Sequence, residues 1–480
     1  MFLGPAAGAG TGAFAVSGGE ISDDGSKAFF RTQEPLQAGD ADGNHFDLYV
    51  RSARAATELL STGSAPGALT DPHDAGFFLT SPDGQKAWFY SGAVLEPEDG
   101  DTTYIDVYER AAGVTTLIST STAPGANTFF SDAFLSGVSA DGTGIVFTSK
   151  GPFDANDNDG GQFDVFLRKG NTTTWVSTGS FPTAGTAPEG ANFEGISSDA
   201  SKVFFSTNER LEDNDNDGGH ADAYLRENGQ TTLVSTSTAA GAGTGAFDAF
   251  LYSVTPDGSS ALFETAEKLD SADQDGNKED VYEWSSDGSL ALVSRTDDPQ
   301  SLATPDDAFW EGNTADQAYV VFSTTAAFDA ADTDATRDLY VTVSSAAAFQ
   351  SPAASSREAQ SVRQLRVRLT HAAPEPITVG YTLRKGTAGP GDFKLGGTGT
   401  IEFAPFATIA TIPLRLFDDF LVEGPETVVV ELTSATHAHL DASPKLTFTI
   451  RDNEPRAKCQ GKDATMVGSK GPDTIVAGAH

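Results

Sequence analysis

The chain has 480 residues, 68 acidic and 30 basic side chains and a net charge of −38. That balance argues against unaided binding to nucleic acid or anionic lipid, and the one cysteine excludes an intrachain disulfide or a Cys-based zinc site. Thirty-two Phe in a 38% hydrophobic chain exclude full disorder, and no apolar run approaches the roughly 20 residues of a membrane-spanning helix.

In chain order, the first feature is a start inside a repeat. AAGAGTGAF at 6–14 recurs at 239–247, between two repeats, and no secretory signal precedes it. A triplet of Asp, an apolar residue and an aromatic then recurs from Asp47-Leu48-Tyr49 to Asp338-Leu339-Tyr340 at spacings of 58 or 59. A second register runs upstream of it: Asp24, Asp83, Asp141, Asp199, Asp257 and Asp316, each followed six residues later by Phe. Within one repeat, FLSGVS, GIVFTS, DVFLR and TTTWVST read as four short antiparallel strands, the first two joined by an Asp-Gly turn. Such units bury their faces only against neighbours, so six of them predict a six-bladed β-propeller over 1–345. The segment SSAAAFQS makes a poor fourth strand for the last blade, and Met1-Phe2-Leu3 is expected to supply it. The turn, the aromatic strand and the D-V-Y strand resemble WD-like propeller repeats of the TolB type, a resemblance that implies a fold and a binding platform.

Before each D-V-Y strand lies an acidic loop. Alternating Asp closed by Gly suits Ca²⁺, a hard ion that takes six to eight oxygens. Asp213, Asp215, Asp217 and Asp222 are the best candidates, followed by Asp157, Asp159 and Asp164. The competing reading is that Asp, Asn and Gly simply build turns.

Near residue 346 the repeats stop in a Ser/Ala-rich stretch expected to be a linker. LRVRLT, ITVGYTLR, GTIEF, ATIPLRLF, TVVVELT and LTFTIRD then alternate as strands of an immunoglobulin-like β-sandwich over 346–454. GTAGPGDF at 386–393, Asp418-Asp419 with Glu423 and Glu426, and TIRDNE at 449–454 resemble the motifs of a Calx-beta domain. The resemblance implies Ca²⁺ ligation by Glu358, Asp392, Asp418, Asp419, Glu423, Glu426, Asp452 and Glu454. Asn453 and Arg357 depart from a purely acidic pattern. In the flexible tail expected over 455–480, GSKGPDTIV at 468–476 resembles one hemolysin-type (RTX) nonapeptide, which binds Ca²⁺ only when stacked.

No nucleophile elbow, HExxH or phosphate loop is present, and the seven His are scattered. The function expected is therefore a non-catalytic, monomeric, extracellular or cell-surface Ca²⁺-binding protein, with a protein or glycan partner at the propeller face. The rivals are a propeller hydrolase acting on surface polysaccharide and a structural spacer. Residues 350–480 hold as many basic as acidic side chains, so the whole net charge falls on the first 349 residues.

Overall fold

The computed structural model describes the chain outside residues 1–14, 38, 53–56, 101, 122–130, 155, 158–160, 183, 185–188, 217, 237–246, 271–272, 274–275, 295–305, 329–331, 344, 359–360, 374–375, 420–422, 436–437, 441–443, 454–457, 460–461 and 464–480. Among the described residues every regular element is a β-strand. The chain divides into two compact units, Met1–Thr342 and Val343–His480.

Among the described residues the first unit holds five four-stranded antiparallel sheets and one three-stranded sheet, each built from strands consecutive in the chain. The third runs Ala133–Val138, Gly144–Ser149, Asp164–Lys169 and Thr172–Trp175. The two sequence registers meet here. The Phe of the second strand stacks on the aromatic of the third in every repeat, as in Phe30–Tyr49, Phe147–Phe166 and Phe322–Tyr340. In Phe205–Tyr224 they are direct cross-strand partners with ring centroids 5.6 Å apart. The 58-residue period is thus the spacing that keeps one aromatic pair in each sheet.

The turn between the first two strands is fixed by side chains. The hydroxyl of Ser22, Ser81, Ser139, Ser197, Thr255 or Thr314 donates to the Asp two residues on. Gly142, at φ 64°, then takes the left-handed position that an L-residue adopts at a cost.

Each sheet is bound to the next. The backbone N–H of Ala75, Ala133, Ala191, Ala249 and Ala308 donates to a carbonyl of the preceding repeat, those of Phe46, Ile105, Phe163, Ala221 and Glu279. Apolar cores fill the spaces between consecutive sheets: Phe29 with Phe78 and Phe89, Trp88 with Leu135 and Ile145, Val146 with Val203, Phe204 with Leu251, Leu262 with Val320.

Two expectations change. Ala346–Phe349 belongs to the second unit, where it pairs with Ser361–Leu369 and His439–Leu440, so it is no candidate for a sixth-sheet strand. The expected linker continues as a strand, Ala353–Arg357, parallel to Lys445–Arg451. Its small residues fit there because alternate positions tuck against the sandwich core, as Ala347, Phe349 and Ala354 do. Met1-Phe2-Leu3 and 468–476 lie outside the described residues. Inside the tail expected to be flexible, Lys458–Cys459 pairs with Lys462–Asp463.

The second unit is a sandwich of two five-stranded sheets. One contains Phe393–Leu395, Ile409–Leu416 and Ser361–Leu369; the other contains Ala353–Arg357, Lys445–Arg451, Glu426–Ala435, Ile377–Arg384 and Thr400–Phe403. Alternate residues Leu365, Val367, Ile412, Leu414, Val428, Val430, Phe448 and Ile450 form its core.

Candidate metal centre

Strand register gathers the acids of the second unit. Arg357 pairs with Arg451 in a parallel ladder, so Glu358 and Asp452 leave their strands side by side. Glu358 N–H donates to the Arg451 carbonyl at 2.7 Å, and the Glu358 side chain is buried. Glu426 opens the neighbouring strand, opposite Ile450. The GTAG turn then brings in the other sheet: Thr387 and Ala388 N–H both donate to the Thr427 carbonyl at 3.0 Å. This holds Asp392, the residue before Phe393, against Glu426. Gly389 N–H donates to Asp392 Oδ2 at 2.6 Å, and Glu423 N–H to Asp452 Oδ2 at 2.9 Å.

Glu358, Asp392, Glu423, Glu426 and Asp452 line one recess together with Gly424 and Ile450, and among the described residues no basic one is in its walls. One carboxylate oxygen each from Asp392, Glu423 and Glu426 lies within 4.8 Å of the other two. Two oxygens on one Ca²⁺, each about 2.3–2.6 Å from the ion, lie at most about 5 Å apart, so the triad is spaced to share one. Its electrostatics match. Burial, a hydrogen bond with Asp392 and the charges of Asp392 and Glu423 push the Glu426 carboxyl up to about 6. Burial and the neighbouring Asp392, Asp419 and Asp452 raise Glu423 as well. A cation relieves this repulsion. The donor set is hard oxygen only, as Ca²⁺ requires, and five carboxylates can fill most of its shell.

The remaining predicted ligands stand differently. Asn453 donates to Asp418 Oδ1 at 2.7 Å and also to the Glu358 carbonyl, so the amide organises the rim. Asp419 acts on Glu423 through its charge. Arg357 is exposed, one position before the buried Glu358. Glu454 lies outside the described residues.

In the first unit most acidic loop residues serve the repeat itself. The Tyr224 hydroxyl, whose ionisation burial pushes far up, donates to Asp215 at 2.6 Å. Tyr108, Tyr282 and Tyr340 bond Asp99, Asp273 and Asp332 in the same way. Asp222 accepts from Ser235 Oγ, and Asp164 from Ser177 Oγ and Trp175 Nε1. The Asp213 carbonyl holds Arg210, and Asp157 N–H bonds the Asp154 carbonyl. Asp159 and Asp217 lie outside the described residues. Among the described residues, the loop carboxylates that gather within 4.8 Å are Asp40, Asp42 and Asp47 of the first repeat and Asp332, Asp334 and Asp338 of the sixth. In the first group Asp42 Oδ1 is shut off from solvent with no hydrogen-bond partner. Burial lifts Asp42 to about 6 and Asp47 to about 8.

An all-β chain with a carboxylate recess at the end of a two-sheet sandwich is the class these observations define. Residues 343–454 match the family described as Calx-beta domain, and the chain carries such a domain over that span. Among solved structures, it is similar to the apo-form Calx CBD1 domain, with 20% identity and a TM-score of 0.22 over 23% of this chain and 98% of that one. CBD12 from CALX1.2 shows 22% identity and a TM-score of 0.22 over 23% of this chain; less than half of that chain, 44%, is covered. A putative TolB from Agrobacterium tumefaciens shows 14% identity and a TM-score of 0.29, with 58% of this chain and 80% of that one covered. No curated protein matches the chain.

Proposed function

We propose that this is an extracellular or cell-surface Ca²⁺-binding protein that acts by binding and not by catalysis. Its sandwich would take Ca²⁺ through Asp392, Glu423 and Glu426, with Glu358 and Asp452 completing the shell. The observation that carries this reading is the triad of carboxylate oxygens within 4.8 Å, in a recess whose described walls hold no basic residue. The six repeats would close radially as a six-bladed propeller and serve as a platform for adhesion to a protein or glycan. The five sheet-to-sheet hydrogen bonds and the apolar cores between consecutive sheets support that arrangement. A second Ca²⁺ locus in the loop of the first repeat is favoured by the buried, unpartnered Asp42 Oδ1.

Calorimetric titration of the full chain with CaCl₂ tests the sandwich site. The sandwich site should disappear from the isotherm in Asp392→Asn and Glu426→Gln and be retained in Asp213→Asn. Mg²⁺, which keeps its waters and demands octahedral geometry, should bind far more weakly. Unchanged Ca²⁺ binding in both sandwich variants would refute the assignment.

A further inference from the structure

The fifth repeat departs from its neighbours at one spot. The first strand of the repeats carries a bulge whose extra residue is Gly18, Ser136, Glu194, Tyr252 or Glu311. In the third, fourth and sixth repeats this residue bonds a hydroxyl on the second strand: Ser136 to Thr148, Glu194 to Ser206 at 2.6 Å, and Glu311 to Ser323 at 2.7 Å. The fifth repeat exchanges the roles. The aromatic Tyr252 occupies the bulge, and Glu264 takes the place of the hydroxyl residue on the second strand; burial and the Glu264 charge raise the tyrosine's ionisation. The position before the D-x-Y triplet is apolar in the first four repeats, as Phe46, Ile105, Phe163 and Ala221, and is Glu279 in the fifth. Bulges re-aim side chains, and a local break in an otherwise regular repeat marks a place shaped for something other than folding.

The parts meet. Tyr252 stacks on Trp310 of the next repeat, with ring centroids 5.0 Å apart and planes 15° apart. Tyr252 is 43% exposed, and Phe250, the cross-strand partner of Glu264, is 49% exposed. Glu264 is buried and accepts from the Trp310 backbone N–H. Glu279 Oε2 is shut off from solvent and accepts no hydrogen bond. The charges that act on Glu279 are all negative, those of Glu264, Asp307 and Asp248, and together with burial they raise its carboxyl. The site therefore sets exposed aromatic faces beside Glu279, which has an unpartnered oxygen, and beside Glu264, which is held by Trp310.

We propose that Tyr252, Trp310, Glu264 and Glu279 form a binding site for a lysine or arginine side chain of a polypeptide partner. The inference rests on reading the six repeats as a binding platform and is independent of Ca²⁺. An organic cation gains from the ring faces and from the carboxylates together. A metal ion would find too few oxygens for its shell. A neutral sugar could stack on the rings but would leave the charge of Glu279 uncompensated.

The test is fluorescence anisotropy of the full chain with a labelled tetralysine peptide and its Nε-acetylated counterpart, at physiological salt. Tetralysine should bind and the acetylated peptide should not. Tyr252→Ala and Glu279→Gln should each weaken binding about tenfold. Tyr252→Phe should retain most of it, which guards against a folding defect in the alanine variant. Asp23→Asn removes one exposed charge elsewhere and should change nothing. Equal losses in Asp23→Asn and Glu279→Gln would mean diffuse attraction to an acidic protein and overturn the site. So would full affinity in Tyr252→Ala, or a failure of tetralysine to bind. Thermal unfolding of the same samples with and without Ca²⁺ reads the metal assignment separately.

Discussion

Gly386 shows how one residue without a side chain can decide a metal site. A Cβ built there would lie 2.0 Å from the Thr427 carbonyl oxygen, a backbone atom that cannot move aside alone. The close approach lets Thr387 and Ala388 bond that same carbonyl and so brings Asp392 to Glu426. Gly386→Ala should therefore destabilise the sandwich by about 1–3 kcal/mol, the usual cost of overpacking. It should also weaken Ca²⁺ binding although no ligand has changed. Calorimetric titration beside a denaturant melt checks both effects, and loss of stability with intact affinity would break the link between turn and site.

At the scale of the element, the D-x-Y strand is held by a two-way clamp. Ser294 Oγ donates to Asp280 Oδ1 at 2.6 Å and accepts from Val281 N–H at 3.0 Å. The same pairing recurs as Ser61–Asp47, Ser119–Asp106, Ser177–Asp164 and Ser235–Asp222. Its energetic role lies in satisfying buried polar groups, since each unpartnered one costs about 1–3 kcal/mol. Asp280→Ala should cost that much in a urea melt of the first unit, and Asp280→Asn, which keeps an acceptor, clearly less. Equal losses would mean that shape matters here and hydrogen bonding does not. This clamp also marks what could be read in advance. Asp-x-aromatic at a fixed period located the strands, because period and alternation are local. That its Asp bonds a serine 13 or 14 residues on depends on a pairing that no spacing reveals. Likewise the acids of the sandwich were legible as a motif, and five of the eight line one recess. The roles of Asn453 and Gly386 depend on contacts across sheets. The Ser/Ala-rich segment looked like a linker because small residues signal turns, and in the fold they fit alternate strand positions against the core.

Across the whole molecule, two kinds of acid make the first unit's stability depend on pH in opposite directions. Asp24 and Asp199, bonded by turn hydroxyls and backbone N–H groups, are lowered to about 2. Their contribution is present above the ordinary aspartate value of about 4 and is lost as pH falls through 2. Asp42 and Asp47 are raised by burial to about 6 and about 8, and burial also raises Glu194, Glu264 and Glu279. For these the folded state holds protons more tightly than the unfolded one. Their contribution is complete below about 4 and is lost as pH climbs through 6 and 8. The net charge of −38, all of it on the first 349 residues, adds self-repulsion on the alkaline side. In metal-free buffer the melting temperature of the first unit should therefore rise as pH is lowered from 8 to about 5 and collapse below about 4. Glu194→Gln, which removes one raised carboxyl, should flatten part of the alkaline slope. Ca²⁺ at about 100 times its dissociation constant should add roughly 2.7 kcal/mol to the unit that binds it. At pH 7 the sandwich transition should shift upward, and in Glu426→Gln it should stay in place. A melting temperature of the first unit that climbs from pH 5 to pH 8 without metal would contradict the assignment of its buried acids, whatever Ca²⁺ does to the sandwich.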